Sequence, residues 1–115
     1  MQITFTAGNH TLSAELNDSA AAQDFAARLP LTLTLKDYAG IEKIADLDNP
    51  LDTSNAPDGH KASAGDITYY APWGNLALFG KSFGYASGLV SLGKFTGDYS
   101  LLFQSPQIEV MIKLA

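Results

Sequence analysis

Hydrophobic and polar residues alternate with a period of two along much of the chain, which is the pattern of β-strands with one buried face. The first such segments lie on either side of Gly8-Asn9-His10 and predict a β-hairpin. Leu31–Leu35 is the most regular alternation in the chain, and the pattern returns over residues 108–114. The sequence therefore predicts a protein built mainly from sheet.

One segment departs from this pattern and predicts a helix. Asn17-Asp18-Ser19 supplies side chains that can cap a helix N-terminus, and a run of alanines follows. Ala21, Phe25 and Leu29 recur at helical spacing, and Pro30 forbids continuation. We expect one amphipathic helix of about ten residues, with Phe25 on its buried face.

The remaining segments complete a β-rich architecture. Residues 42–47 fit a strand or a short helix, and Thr96-Gly97-Asp98 predicts a turn before a short second helical piece that runs through Phe103. Strands and helices do not alternate, so about seven or eight strands predict an antiparallel or mixed closed barrel rather than a parallel sheet. The predicted core residues are Phe5, Leu12, Phe25, Leu33, Ile67, Leu78, Val90 and Val110.

The densest aromatic stretch is Gly65–Phe79, where two β-prone runs flank the turn Pro72-Trp73-Gly74-Asn75. Strand alternation places Tyr69 and Tyr70 on opposite faces. The outward tyrosine and Trp73 would wall a groove while Phe79 fills the core. Alternatively, these aromatic residues only cap the ends of the barrel.

The segment 48–64 is polar, with almost nothing to bury, and is longer than the roughly 12–15 residues usual for a loop in a compact domain. Such loops are typically functional or mobile, so we expect this one to form a binding surface with the Trp73 turn. Loop side chains would donate and accept hydrogen bonds, aromatic residues would supply apolar area, and a glutamate would orient the ligand. The predicted ligand-binding residues are Glu42, Thr53, Asn55, Tyr70, Trp73 and Asn75.

Length and composition favour one domain over residues 1–115. Hydrophobic residues make up 46% of the chain, yet no apolar run approaches the ~20 residues that span a bilayer. The start of the chain lacks the basic and apolar regions of a signal peptide, so we expect a cytoplasmic protein without a membrane partner. The absence of cysteine excludes disulfides, thiolate catalysis and cysteine-based metal sites.

The net charge of the chain indicates which classes of binding partner are expected. Twelve acidic residues against seven basic ones give a net charge of -5, and the basic residues are scattered. Nucleic acid is therefore not an expected partner, because neutralisation of phosphates supplies most of such affinity. The acidic excess is explained by solubility.

Motifs with known chemistry are absent or incomplete. Gly80–Gly84 matches the Gly-x-Ser-x-Gly nucleophile elbow, but both histidines precede Ser82 although the elbow needs its histidine later in the chain. Three aspartates between positions 46 and 52 resemble a calcium loop, but Pro50 takes a ligand position and the fixed glycine and terminal glutamate are missing. We therefore expect no catalytic residue, no metal site and no cofactor.

Several short motifs together resemble the cyclophilin-like domain family of small bacterial proteins. They are Leu29-Pro30, Glu42-Lys43-Ile44, Gly65-Asp66-Ile67, Tyr69-Tyr70, Pro72, Gly74 and Leu76-Ala77-Leu78-Phe79. The resemblance covers nearly the whole chain. It implies a closed β-barrel of the cyclophilin type with trimmed loops and helices, in a family whose members largely lack an assigned activity.

The chain departs from true cyclophilins at the residues that catalyse prolyl isomerisation. Those enzymes use a Phe-His-Arg strand beside an aromatic proline pocket, whereas the only arginine here, Arg28, ends the predicted helix. Our leading hypothesis is a small binding module for a peptide segment or small molecule. The alternatives are a weak or cryptic peptidyl-prolyl isomerase, and an assembly domain whose barrel edge pairs with another chain.

Overall fold

A computed structural model describes residues 1–115, and its main feature is a closed barrel of eight antiparallel strands. The ten strands of the structure are β1 (Gln2–Ala7), β2 (His10–Leu16), β3 (Leu31–Tyr38), β4 (Glu42–Asp46), β5 (Gly59–Lys61), β6 (Asp66–Tyr70), β7 (Asn75–Phe79), β8 (Tyr85–Ser87), β9 (Leu89–Phe95) and β10 (Gln107–Leu114). The barrel order is β1-β10-β3-β4-β7-β6-β9-β2. This confirms the predicted mainly β, closed-barrel fold.

Closure depends on pairing between distant parts of the chain. β1 pairs with β10, in a register that sets Phe5 opposite Ile112, and β2 pairs with β9. A closed barrel has no unpaired strand. The hypothesis of assembly through a barrel edge therefore finds no free edge in the main sheet. Free edges remain only in the separate two-stranded sheet of β5 and β8.

The barrel interior holds the main hydrophobic core. Seven of the eight predicted core residues are buried, and the eighth, Leu33, is half-buried and packs against the others. The segment that fitted either strand or helix is strand β4, which pairs with both β3 and β7. The predicted alternation of buried and exposed positions therefore holds in these strands.

Helix α1 (Ala20–Ala27) begins directly after Ser19, within the predicted N-cap segment. The Ser19 Oγ accepts a hydrogen bond from the Ala22 N–H at 3.1 Å, and Phe25 on the inner face is fully buried. The helix is eight residues long, so Leu29 lies beyond it. The second helical piece is a 3-10 helix, Ser100–Phe103, preceded by Asp98, whose carboxylate accepts the Ser100 N–H at 2.8 Å.

No helix in the structure is both long enough and apolar enough to cross a membrane.

The segment 48–64 differs from its prediction, because it does bury apolar side chains. Leu51 is 4% exposed and joins the barrel core, Ala62 is 1% exposed, and residues 59–61 form β5. The Leu51 N–H donates to the hydroxyl of Tyr69 at 3.3 Å. Isolated apolar residues separated by Pro, Gly and Asp have no periodicity, so the sequence pattern gave no sign of their burial.

Arg28 fastens this segment to the helix. Its guanidinium forms an ion pair with Asp24 at 3.1 Å and donates to the backbone carbonyl of Pro50 at 2.7 Å. The same Asp24 carboxylate accepts the Asp52 N–H at 2.8 Å. The chain's one arginine therefore holds a loop in place.

A buried lysine lies at the junction of β3 and β4. The Lys43 side chain is fully buried, and its ammonium pairs with the carboxylate of Asp37 at 2.8 Å and donates to the carbonyl of Ser105. Asp37 and Lys43 are directly opposite in the β3–β4 register. The Lys43 charge is thus satisfied within the chain.

Candidate functional site

A second, smaller hydrophobic core lies on the outer wall of the barrel. Alternation along β7 sends Leu76 and Leu78 inward and sends Ala77 and Phe79 outward. The outward pair clusters with Ala62 from the long segment and Leu89 from β9. Phe79 is therefore a buried core residue as expected, and the core that it fills is this second one, outside the barrel.

A pocket of about 210 Å³ opens beside this second core. Its walls come from β3, β4, the β6–β7 hairpin, β8 and β9, and seven of its nine lining residues are hydrophobic. The lining residues are Tyr38, Glu42, Tyr70, Trp73, Asn75, Phe79, Phe83, Ala86 and Leu89. We call it the aromatic pocket, since five of the nine carry aromatic rings.

Trp73 is the centre of the aromatic wall. Its ring stands nearly perpendicular to Tyr38 and to Tyr70, with centroids 5.5 and 5.4 Å away. Phe79 and Phe83 stack at 6.2 Å on the same pocket. Edge-to-face contacts of this kind are favourable for aromatic rings and fix their relative orientation. Trp73 nevertheless remains 58% exposed.

The turn that carries Trp73 is tightly held. The carbonyl of Tyr70 accepts the Gly74 N–H at 2.9 Å, and the Ala71 N–H donates to Gly88 at 3.0 Å. Gly88 has φ +82°, and a Cβ added there would lie 2.8 Å from the ring of Pro72. Only glycine fits this conformation without strain, so Gly88, between β8 and β9, allows the chain to approach the turn that carries Trp73.

Asn75 brings an unpaired acceptor to the pocket. It is 2% exposed, and its amide nitrogen donates to the carbonyl of Leu76 at 3.0 Å. Its Oδ1 is buried and accepts no hydrogen bond. Leaving such an atom unpaired costs about 1–3 kcal/mol, and buried polar atoms in native proteins are rarely left so. The residue that carries this unpaired acceptor lines the aromatic pocket.

Glu42 contributes the only charged side chain of the pocket lining. It is half-buried, and this burial raises the pKa of its carboxyl above the ordinary value of 4.5. No cation pairs with it, because the adjacent Lys43 is engaged by Asp37 on the other side of β4. The pocket thus combines aromatic walls with two acceptors and no donor-bearing cation.

A larger cavity of about 360 Å³ lies between the start of α1, the loop and β9. Its polar groups bond to the chain itself: the amide of Asn17 donates to the carbonyl of Ser91 at 3.0 Å, and its oxygen accepts the Ser19 hydroxyl at 2.6 Å. His60 lies 3.0 Å from the carboxylate of Asp66. These contacts join loop, helix and strands, so the polar side chains of Asn17, Ser19 and His60 are paired within the chain.

The structure brings four of the six predicted binding residues together. Glu42, Tyr70, Trp73 and Asn75 all line the aromatic pocket. Asn55 instead lines the larger cavity, and Thr53 lines neither of the two. The two loop residues were grouped with the others because the loop was expected to face the Trp73 turn, whereas Arg28 and Asp24 hold its first half against the helix. Their role in ligand binding stays a prediction.

Sequence reasoning missed the other five lining residues as binding residues: Tyr38, Phe79, Phe83, Ala86 and Leu89. Tyr38 lies directly opposite Glu42 across the turn at Ala39 and Gly40, both of which have positive φ. Hairpin register would have placed Tyr38 beside Glu42. Leu89 lies directly opposite Tyr70 in the β6–β9 register, and Phe83 is held beside the β5–β8 sheet by a hydrogen bond from its N–H to the carbonyl of Ala62. No local sequence pattern indicates either pairing.

The fold and this site define a class, a small antiparallel barrel with an aromatic pocket on its outer wall. A family model described as the Cyclophilin-like family matches residues 5–113. The chain therefore belongs to the Cyclophilin-like family, which confirms the resemblance seen in the sequence.

The fold is similar to that of a solved structure over the whole chain. It is the solution structure of the hypothetical protein AF2241 from Archaeoglobus fulgidus, with a TM-score of 0.72 and 16% sequence identity. The match covers 100% of this chain and 95% of that chain. At this identity the likeness shows a shared fold alone. None of the curated proteins matches this chain significantly.

Proposed function

We propose that this chain is a small binding module that takes a small molecule, or one side chain of a peptide, in the aromatic pocket. The observation that carries the proposal is an aromatic-walled recess whose lining includes the Glu42 carboxyl and Asn75, a residue with a buried, unpaired Oδ1. Binding pockets are typically apolar recesses with a few fixed polar groups that orient the ligand. The larger cavity lacks that combination, because no Phe, Tyr or Trp lines it.

The dimensions favour a small ligand group. Pockets for drug-sized ligands usually measure about 300–1,000 Å³, and this pocket measures about 210 Å³. It therefore suits a single side chain or the head of a small metabolite, with the rest of the ligand lying on the exposed rings of Trp73 and Phe83.

The test is an NMR screen of peptides and metabolites against the wild-type chain and Trp73→Ala. Trp73 is more than half exposed, so the substitution should keep the fold and lower stability by less than about 1 kcal/mol. We expect ligand-induced shifts at Glu42, Tyr70 and Asn75 in the wild type and their loss in Trp73→Ala. Tyr85→Ala is the matched control, because Tyr85 is 64% exposed and does not line the pocket.

Two outcomes would contradict the proposal. Shifts that map to the larger cavity, around Asn17 and Ser91, or to the Gly8-Asn9-His10 turn would place the site elsewhere. A Trp73→Ala chain that unfolds, while Tyr85→Ala does not, would make Trp73 a structural residue.

A further inference from the structure

One charged side chain, Glu42, lines the aromatic pocket. The acceptors of the lining are the carboxylate of Glu42 and the Oδ1 of Asn75, and the amide nitrogen of Asn75 is used by the carbonyl of Leu76. The donors are the hydroxyls of Tyr38 and Tyr70 and the indole N–H of Trp73, which are all uncharged. A negatively charged ligand would therefore be repelled by Glu42, with no cation in the lining to offset the repulsion.

We propose that the pocket binds an organic cation that carries N–H groups, that is, a primary or secondary alkylammonium or a guanidinium. This inference rests on the proposed function of the same pocket. The N–H groups would donate to Oδ1 of Asn75 and to the Glu42 carboxylate, which are otherwise unpaired.

The aromatic walls support the same ligand class. Cations are attracted to the faces of Trp and Tyr rings, and the attraction is stronger where water is excluded. Trp73 contacts both Tyr38 and Tyr70, so three such rings surround the mouth of the pocket. A carboxylate beside aromatic rings is attractive to a cation and repels an anion.

The chain itself supplies no competing cation. No lysine, arginine or histidine lines the pocket, and Lys43, next to Glu42 in sequence, is fully buried against Asp37. A bound cation would thus form an ion pair with the Glu42 carboxylate, which has no cationic partner within the chain. The net charge of -5 also favours the approach of cations.

The unpaired Asn75 oxygen distinguishes N–H cations from quaternary ammonium ions. A tetramethylammonium ion has no N–H group, so it would gain the aromatic contacts but leave Oδ1 of Asn75 without a donor. We therefore expect the pocket to prefer butylammonium and ethylguanidinium over tetramethylammonium.

The experiment is an NMR titration of the full chain with butylammonium, ethylguanidinium, tetramethylammonium, neutral 1-butanol and butyrate, at fixed ionic strength. A second set of titrations uses tripeptides that contain lysine or arginine. Comparison with the free probes distinguishes a free amine from a peptide side chain as the source of the cation. We expect the two N–H cations to shift pocket residues and to bind at least about tenfold more tightly than the other three probes.

Glu42→Gln keeps the shape of the side chain and removes its charge. We expect it to weaken butylammonium binding by about tenfold or more, while Glu109→Gln leaves binding unchanged. Glu109 is the matched control because it is an exposed strand glutamate on β10, away from the pocket.

The outcomes separate this inference from the proposed function. Equal binding of butanol and butylammonium in the pocket, or no effect of Glu42→Gln, would overturn the cation preference and leave the binding module intact. Tetramethylammonium binding as tightly as butylammonium would overturn the requirement for N–H groups. Shifts at none of the pocket residues with any cation would also overturn the inference, and the broader screen with Trp73→Ala would then decide the proposed function independently.

Discussion

Glu42 lies directly opposite Phe79 in the antiparallel register of β4 and β7. Phe79 is 2% exposed and belongs to the second core, so this pairing holds the carboxylate against apolar surface. Desolvation by that surface raises the pKa of Glu42. This cross-strand pair therefore keeps the Glu42 carboxylate near aromatic rings and away from the chain's own cations.

We expect a measured pKa of Glu42 above 4.5 in the unliganded chain. Between 4.5 and the raised value, the unfolded chain is ionised while the folded chain still holds the proton. The contribution of Glu42 to the free energy of unfolding should therefore fall as pH rises through that window and be constant above it. The other titratable groups of the lining are the phenols of Tyr38 and Tyr70.

Carboxyl-detected NMR gives the Glu42 pKa directly, and the stability effect is the difference between the urea unfolding profiles of wild type and Glu42→Gln. The comparison with Glu42→Gln is needed because two other carboxyls also have shifted pKa values. Hydrogen bonds from Ser54 lower the pKa of Asp52, and hydrogen bonds from Ser100 lower the pKa of Asp98. A Glu42 pKa at or below 4.5 would contradict the prediction.

Gly88→Ala should displace the Trp73 turn. The substitution combines a strained positive φ with a contact of 2.8 Å to the rigid ring of Pro72, so we expect a loss of about 1–3 kcal/mol in the free energy of unfolding. Trp73 fluorescence should change as well. Gly84→Ala is the control, since nothing lies within 4 Å of its added Cβ, and it should be neutral within about 1 kcal/mol. Equal stability of the two variants would disprove the role of Gly88.

Tyr69→Phe should cost about 1–3 kcal/mol, because it removes the acceptor of the buried Leu51 N–H. The neighbouring Tyr70→Phe should change stability by less than about 0.5 kcal/mol, since its hydroxyl makes no hydrogen bond within the chain and faces outward. Urea denaturation of both variants measures the contrast. If Tyr70→Phe were the more destabilising of the two, the assignment of inward and outward tyrosines would be wrong.

Arg28→Ala should release the first half of the 48–64 segment from α1. We expect a loss of about 1–2 kcal/mol and faster hydrogen exchange at the amide of Asp52, which bonds to the partner of Arg28. Lys61→Ala, which removes an exposed cation without an ion pair, should change neither quantity. Unchanged exchange at Asp52 in Arg28→Ala would mean that the loop is held by other contacts, such as burial of Leu51.

A protease-coupled peptide assay should show little or no prolyl isomerase activity. Catalysis of this kind needs a fixed donor beside the amide in the transition state, and Arg28 lies outside the aromatic pocket with its guanidinium on Asp24 and Pro50. Rates like those of cyclophilins, abolished by Arg28→Ala, would favour the enzyme hypothesis over the binding module.

The sequence by itself determined the local geometry. Alternation along residues 2–16 and 31–35 predicted strands and their buried faces, and Asn17-Asp18-Ser19 predicted the start of the helix. The opposite directions of Tyr69 and Tyr70 also follow from strand geometry alone. These features depend on neighbours within a few residues.

Contacts between segments that are distant in sequence were decided only by the tertiary structure. The β1–β10 pairing that closes the barrel, the β5–β8 pairing that brings Phe83 to the pocket, and the burial of Leu51 all depend on contacts between residues far apart in sequence. Periodicity shows that one face of a strand is buried, but not against which partner. For that reason Phe79 was predicted to be buried, while its place in a second core outside the barrel, opposite Glu42, could be seen only in the folded chain.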